Sequence, residues 1–245
     1  STLSTSLDSS SVSIATDNTS GSDSGHIYVN SAVSWSSATQ LTLSAYNDIY
    51  INAPITSSHS SGKSSLLYGQ GSTSGTISGV AADYHVNAPV SLAAGANFFS
   101  QLGSNTANLK SYQVITSLGS QGSTTGTDLQ GMNGDLTANY ALGADIDAST
   151  TTTWSTNANY KGFTKIGNNT TTADYYSGSF AGLGHVISDL YLYRPLVGVS
   201  GLFAVLSRDG VVRDTGLVNM AITTNSSGGL VGRNYGAVKN SFTTG

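Results

Sequence analysis

A glycine-led phrase returns three times in the C-terminal quarter of this chain, and that periodicity limits the possible folds more than any other feature. Gly184-His185-Val186-Ile187-Ser188-Asp189-Leu190 comes back as Gly210-Val211-Val212-Arg213-Asp214-Thr215-Gly216-Leu217 and again as Gly236-Ala237-Val238-Lys239-Asn240-Ser241-Phe242, with glycines at 184, 210 and 236, a step of 26 residues. Each phrase sets a residue that turns tightly before an apolar pair, then a small polar residue able to close a turn. A fixed period of this size means stacked copies. Helical repeats would need runs of Ala, Leu, Glu and Lys, but the chain has no glutamate and its apolar positions are β-branched and two apart. The repeat is therefore built of strands. None of these short strands buries its apolar side unless the next turn stacks on it at roughly 4.8 Å. The predicted fold is all-β, a right-handed parallel β-helix with one short helix and loop insertions, the hand following the rule for parallel strand connections. Ser188, Asp214 and Asn240 are then expected above one another as a structural corner ladder.

Charged residues make up only 9% of the 245, far below the usual quarter, while apolar residues reach 38%. With alternation this clear, that apolar content argues for folding, and Ser and Thr take the outward strand positions. About nine turns would make a rod on the order of 45 Å long. A net charge of −4 with nine scattered Lys and Arg offers no basic stripe, which argues against nucleic acid and anionic lipid as partners. The absence of cysteine removes disulfides, thiol catalysis and thiolate metal sites together. No apolar run reaches the length of a membrane span, and no signal peptide opens the chain, which reads as an excised piece of a longer protein.

In chain order, Ser11–Thr16 alternates as a strand, and a turn follows from Asn18 to Gly25. Inward positions are assigned to Ile27, Val29, Val33 and Trp35, to Leu41, Leu43 and Ala45, and to Ile49, Ile51 and Ile55. A second phrase recurs as Val29-Asn30-Ser31-Ala32-Val33, Ile51-Asn52-Ala53-Pro54-Ile55 and Val86-Asn87-Ala88-Pro89-Val90, at intervals of 22 and 35. The longer interval implies an insertion, placed within Ser57–Gly75. Pro54 and Pro89 mark a corner where no neighbouring carbonyl waits for a donor. Thr127-Asp128-Leu129-Gln130 has the form of a capping box and predicts a short helix over Asp128–Asn133. Tyr140–Asp147 and Phe163–Ile166 read as strands. Residues 1–100, 101–179 and 180–245 thus form a regular, an irregular and a strictly repeating part of one continuous solenoid.

Several of these phrases together resemble the filamentous-haemagglutinin-like exoproteins of Gram-negative bacteria that are exported by two-partner secretion. Leu41–Ile55 looks like their haemagglutinin coils. Thr127–Gln130 with Asn139–Asp147 looks like the segment introducing their GLUG repeats, and Gly229-Leu230-Val231-Gly232 with Arg233–Gly245 is similar to the GLUG repeat itself. Gly201-Leu202-Phe203-Ala204 departs from that pattern by lacking the closing glycine, and no amino-terminal secretion domain of the family is present. The resemblance implies a secreted or surface-displayed adhesin. Its implied partners are a host-cell glycan or protein receptor, or neighbouring copies, with an outer-membrane secretion partner for the full-length chain. It carries over no catalytic residue and implies no cofactor.

Asp145 and Asp147 are the best carboxylate pair, since residues two apart on a strand share a face at roughly 7 Å, a separation suited to an inverting glycosidase. They are also the weak candidates for a metal, although calcium asks for six or more oxygens. Aspartates flanking an apolar residue at a strand end more often face water or cap the next turn, so no catalytic or metal site is assigned. His26, His59, His85 and His185 lie in separate segments without ligand spacing, and His185 reads as a surface or corner residue. Tyr191 and Tyr193 face away from Leu190 and Leu192. Beside Arg194 they form a candidate ligand-binding surface for sugar rings or a protein, against the plainer reading of packing on a neighbouring segment. Sequons at Asn18, Asn168, Asn169 and Asn225 are expected by chance in this composition. The functional expectation is a non-enzymatic adhesin segment, rigid and extracellular, with a purely structural stalk as the first alternative and a β-helical carbohydrate-active enzyme as the second.

Overall fold

The computed structural model describes residues 2–18 and 23–245, so part of the expected Asn18–Gly25 turn, and Thr19 and Ser20 of the first sequon, lie outside the described residues. The regular structure of the described residues is mostly strand, most of it paired in parallel, and the chain divides into two compact units, Ser1–Val114 and Ile115–Gly245. No helix is long and apolar enough to cross a membrane.

In the first unit the alternation of apolar residues translates directly into columns. Ile27, Ile49 and Tyr84 pair in register, as do Val33, Ile55 and Val90. Alongside them the strands Val12–Ala15, Gln40–Ser44, Lys63–Tyr68 and Gly95–Leu102 run parallel, with Leu43 over Leu66. Ile49, Ile51, Ile55, Leu41 and Leu66 are wholly inaccessible, because each is covered by the pass above and the pass below, and Val90, stacked on Ile55 at the end of its sheet, is inaccessible too. Burial of such a side chain stabilises by about 1.5–3 kcal/mol. The polar corner residues stack as well. Asn52 Nδ2 donates to Asn30 Oδ1, and Asn87 Nδ2 to Asn52 Oδ1, each at 2.8 Å.

The extra residues of the longer interval lie further along than the predicted Ser57–Gly75. Leu43 to Ile49 is six positions, whereas their partners Leu66 and Tyr84 are eighteen apart. The additional chain runs through an antiparallel hairpin, Thr76–Ile77 with Val80–Ala81, turned by Ser78 (φ 51°) and Gly79 (φ 83°). Two left-handed residues in succession suit the twist of a two-residue hairpin. The pairing is not purely parallel elsewhere either, since Gly95–Leu102 runs antiparallel to Lys110–Ile115.

An unpredicted α-helix, Thr2–Leu7, packs on the Val33–Trp35 strand. Ser4 Oγ accepts from the Ser34 backbone N–H at 3.1 Å and Asp8 Oδ1 from that of Ser36 at 2.8 Å, so donors on that strand's edge are satisfied. With Leu7 fully buried, six residues are held helical by packing that propensity alone would not supply.

In the second unit Tyr140, Phe180, Val212 and Val238 form one inward column, at steps of 40, 32 and 26 residues. The first of the three glycine phrases is therefore out of register with the other two. Phe180, following Gly178, pairs with Val212, whereas Ile187 pairs with Leu217 on the next strand. The reason is a longer corner. Seven positions separate Phe180 from Ile187, but five separate Val212 from Leu217. A bulge within Tyr191–Ser200, where the register slips between Arg194 and Val199, adds three residues, and Leu206 to Val212 spans six positions where Asn234 to Val238 spans four. Gly201 to Ala204 lies over Gly229 to Gly232, with Phe203 on Val231, so the missing glycine of that phrase does not disturb the pairing.

The short helix also changes in kind. Gln130–Gly134 is a 3-10 turn, and Asp128, rather than Thr127, caps it by accepting from the Gly131 N–H at 2.6 Å. Gln130 turns away from Thr127 toward Thr164. A capping box does occur at Thr171 and Asp174. The predicted strands also shrink. Tyr140–Leu142 and Ile146–Asp147 are separate strands, and only Lys161–Gly162 and the isolated bridge of Ile166 to Phe203 represent the Phe163–Ile166 region.

Candidate functional site

The three corner residues do not form one ladder. Asp214 and Asn240 stack, with Asn240 Nδ2 donating to Asp214 Oδ1 at 3.2 Å and both backbones left-handed (φ 53° and 45°), a conformation Asn and Asp tolerate. Ser188 instead sits in a strand between Asp147 and Val218, displaced by the longer corner. Asp189, one residue on, takes the left-handed conformation shared by Asn219. Asp214 is buried, and its carboxylate pairs with Arg213 Nε.

Asp145 and Asp147 are both exposed, and their carboxylates serve different partners. Asp145 Oδ1 accepts from the Val186 N–H at 3.0 Å and lies 3.1 Å from His185 Nδ1. Asp147 accepts from Ser149 and caps the following turn, and those hydrogen bonds hold its carboxyl below the usual aspartate range. His185 lies at a corner, one of the two places expected for it, but is buried at 6% exposure rather than on the surface, with Asp145 against its ring and its carbonyl receiving Thr215 Oγ1. No group of three or more His or Asp side chains able to hold a metal occurs among the described residues.

Tyr191 and Tyr193 are half-buried against Lys161–Gly162, which pairs antiparallel with their strand. Lys161 Nζ lies 5.9 Å from the centre of the Tyr193 ring. Gly162 has φ +80°, and a Cβ there would meet the Tyr191 carbonyl oxygen at 2.1 Å, so only glycine permits this approach. Arg194 leaves the tyrosine side. By strand alternation it shares the side of Leu190 and Leu192, and only 7% of it is exposed.

That inward turn of Arg194 contributes to a cleft of about 740 Å³, of mixed polar and apolar lining, whose residues include Gln121, Asn133, Leu136, Lys165, Asp174 and Arg194. The volume falls in the roughly 300–1,000 Å³ range of small-molecule sites. Its far wall is stapled in place. Gln130 accepts from the Thr164 N–H at 2.8 Å and donates to the Thr164 carbonyl at 2.9 Å, while Asn133 Oδ1 accepts from the Gly167 N–H at 2.9 Å. Lys165, held between those two points, is buried and donates from Nζ to the Val199 carbonyl at 2.8 Å. Arg194 donates to the carbonyls of Lys161, Tyr193 (2.8 Å) and Phe163 (3.0 Å), and its guanidinium lies 5.6 Å from the Tyr160 ring centre. Neither cation forms a salt bridge among the described residues. Burial pushes the Lys165 ammonium below the usual lysine range, and the Arg194 charge pushes it further down. Burial lowers Arg194 as well. Asp174 lines the cleft, but its carboxylate is engaged by the N–H and hydroxyl of Thr171 at 2.9 and 3.1 Å.

Sequence reasoning missed this cleft. Thr164 lies 34 residues from Gln130, Gly167 34 from Asn133 and Val199 34 from Lys165. The common offset marks stacked passes, yet no repeated phrase carries it. A second missed cluster, in the first unit, did leave a signal. Tyr28, Tyr50 and His85 immediately precede the three copies of the Val/Ile-Asn phrase, and their rings stack outward, with centroids 4.9 Å and then 4.5 Å apart. Asp48 lies 3.6 Å from His26 and 3.9 Å from His85, and the Tyr50 hydroxyl donates to it at 3.2 Å. Reading one residue upstream of each copy would have found the stack.

No protein-family model matches the chain, and no solved structure matches it. Over 122 residues it is 39% identical to Halomucin from Haloquadratum walsbyi. That stretch is 48% of this chain and 1% of Halomucin, so the chain spans a very small part of the relative it resembles.

Proposed function

We propose that this chain is a segment of an extracellular, surface-displayed protein whose two units are each built as a stiff right-handed parallel β-helical stack, the second holding a recognition cleft, the role of an adhesin. The observation that carries this reading is the parallel, in-register stacking within both units, Ile27 to Ile49 to Tyr84 in one and Phe180 to Val212 to Val238 in the other. Such stacking fixes the backbone pass by pass, so a cleft built on it keeps its shape without a ligand. The handedness follows the general rule for parallel crossovers. Likeness to a protein named Halomucin supports the extracellular or surface setting.

The filamentous-haemagglutinin-like phrases support attachment to cells or surfaces, with export through an outer-membrane partner and a glycan or protein receptor as the target. Display rather than catalysis is favoured because Asp145 and Asp147 are committed to different backbone partners. Antibodies raised against the folded chain test the reading. They should label intact cells that make the protein, and surface proteolysis should remove the label. Labelling only after lysis would overturn it.

A further inference from the structure

Two positive charges, Lys165 and Arg194, are buried side by side at 8% and 7% exposure with backbone carbonyls as their hydrogen-bond partners. A carbonyl supplies a dipole but no countercharge, so the pair keeps its mutual repulsion and has lost most of its water. The donors are not exhausted. An ammonium has three, of which Lys165 uses one, and a guanidinium has five, of which Arg194 uses three. Both residues line the same open cleft, and Asp174, the carboxylate in its lining, accepts from the Thr171 N–H and hydroxyl through Oδ2 and forms no salt bridge with either cation. Amides and hydroxyls from Gln121, Asn133, Ser155, Thr164 and Asn168 also line it, with Leu136, the backbone of Gly162 and Gly167, and the ring of Tyr160, itself 47% exposed.

We infer that this cleft is a binding site for an acidic sugar, a glycan unit bearing a carboxylate or sulfate that supplies the missing negative charge between Lys165 and Arg194. A fork of guanidinium donors matches either anion, and charge-assisted bonds of this kind are the strong ones. The amides and hydroxyls both donate and accept, as the hydroxyls of a sugar ring require. Tyr160 offers a partly exposed aromatic face to the ring. The inference rests on the extracellular recognition reading above and names its ligand class.

Calorimetric titration of the 245-residue chain with matched neutral, uronic-acid-containing and sulfated disaccharides, and with inorganic sulfate and phosphate, tests it. Saturable binding of the acidic disaccharides at least about tenfold tighter than the neutral ones is expected, with affinity falling as salt rises. Lys165→Gln keeps a donor for the Val199 carbonyl and removes the charge, so it should weaken acidic binding about tenfold while the thermal midpoint is retained. Tyr160→Ala, at a half-exposed position, should weaken acidic and neutral sugars alike. Equal affinity for neutral and acidic sugars, indifference to Lys165→Gln, or no binding at all would each overturn the inference. Inorganic sulfate or phosphate binding as tightly as the disaccharides would overturn the assignment to sugar. Surface labelling is read independently, so a labelled surface without sugar binding sinks the cleft assignment alone, and sugar binding without labelling sinks the surface reading.

Discussion

The two units accommodate extra residues in opposite ways. In the first, the additional chain between Tyr68 and Tyr84 leaves the stack as a hairpin whose Val80, next to the turn, is 70% exposed. Outward positions on the neighbouring strands carry like-on-like ladders, Asn30 to Asn52 to Asn87 and Tyr28 to Tyr50 to His85. In the second, extra residues fold back over the stack. Gln130 and Asn133 pin them, Lys165 and Arg194 anchor them, and a cleft results. Stacked parallel passes tolerate insertions, and in the second unit the residues tied back by side-chain hydrogen bonds line the cleft.

The largest expected effect breaks the second stack outright. Val212 is fully buried between Phe180 and Val238, so Val212→Asp places an unpaired charge inside the column and should destabilise the unit by about 4 kcal/mol or more, read by thermal unfolding. Unchanged unfolding would contradict the inward assignment. Asp214→Asn isolates the charge at the adjoining corner. It keeps a side chain that accepts the left-handed backbone but removes the carboxylate bound to Arg213, and should cost about 2 kcal/mol.

A pH titration sharpens the contrast without mutation. Burial, with the Asp135 charge, pushes the Tyr140 hydroxyl up to about 12. An unfolded tyrosine ionises near 10, so between pH 10 and 12 the unfolded state releases a proton that the folded state keeps, and stability falls as pH rises. Tyr140→Phe should flatten that fall while losing the bond from its hydroxyl to the Asp135 carbonyl at 3.0 Å. The smallest effect tests the exposed ladder. Asn52→Ala removes the middle member and both of its 2.8 Å bonds, and should lower stability by about 1 kcal/mol, because water replaces much of what is lost.

Legibility in the sequence follows the same division. The inward alternation at Ile49, Ile51 and Ile55 was readable because strand period and burial coincide. The steps of 22 and 35 residues also emerged directly, since both copies of the phrase pair in the expected register. The first glycine phrase misled because glycine marks any tight corner, and a pass of 32 residues where the next has 26 moved Ser188 off the Asp214 and Asn240 position. Arg194 looked superficial from its neighbours Tyr191 and Tyr193, but strand alternation turned it inward. Lys165 and its partners carried no local signal, because bonds at a 34-residue offset join side chains to bare backbone, which leaves no pattern of residue types.

The stacking register is tested most directly by disulfide formation in a chain that has no cysteine of its own. With Asn52→Cys and Asn87→Cys introduced together, the two positions are adjacent across 35 residues and the hairpin insertion. Opposed strand positions lie within the roughly 4.4–6.8 Å Cα separation that a disulfide spans. Complete oxidation to an intramolecular disulfide is expected in the folded chain, and none for Asn52→Cys with Asp83→Cys, four residues out of register. Free thiols in the first pair, or a disulfide in the second, would contradict the stacking on which the rest depends.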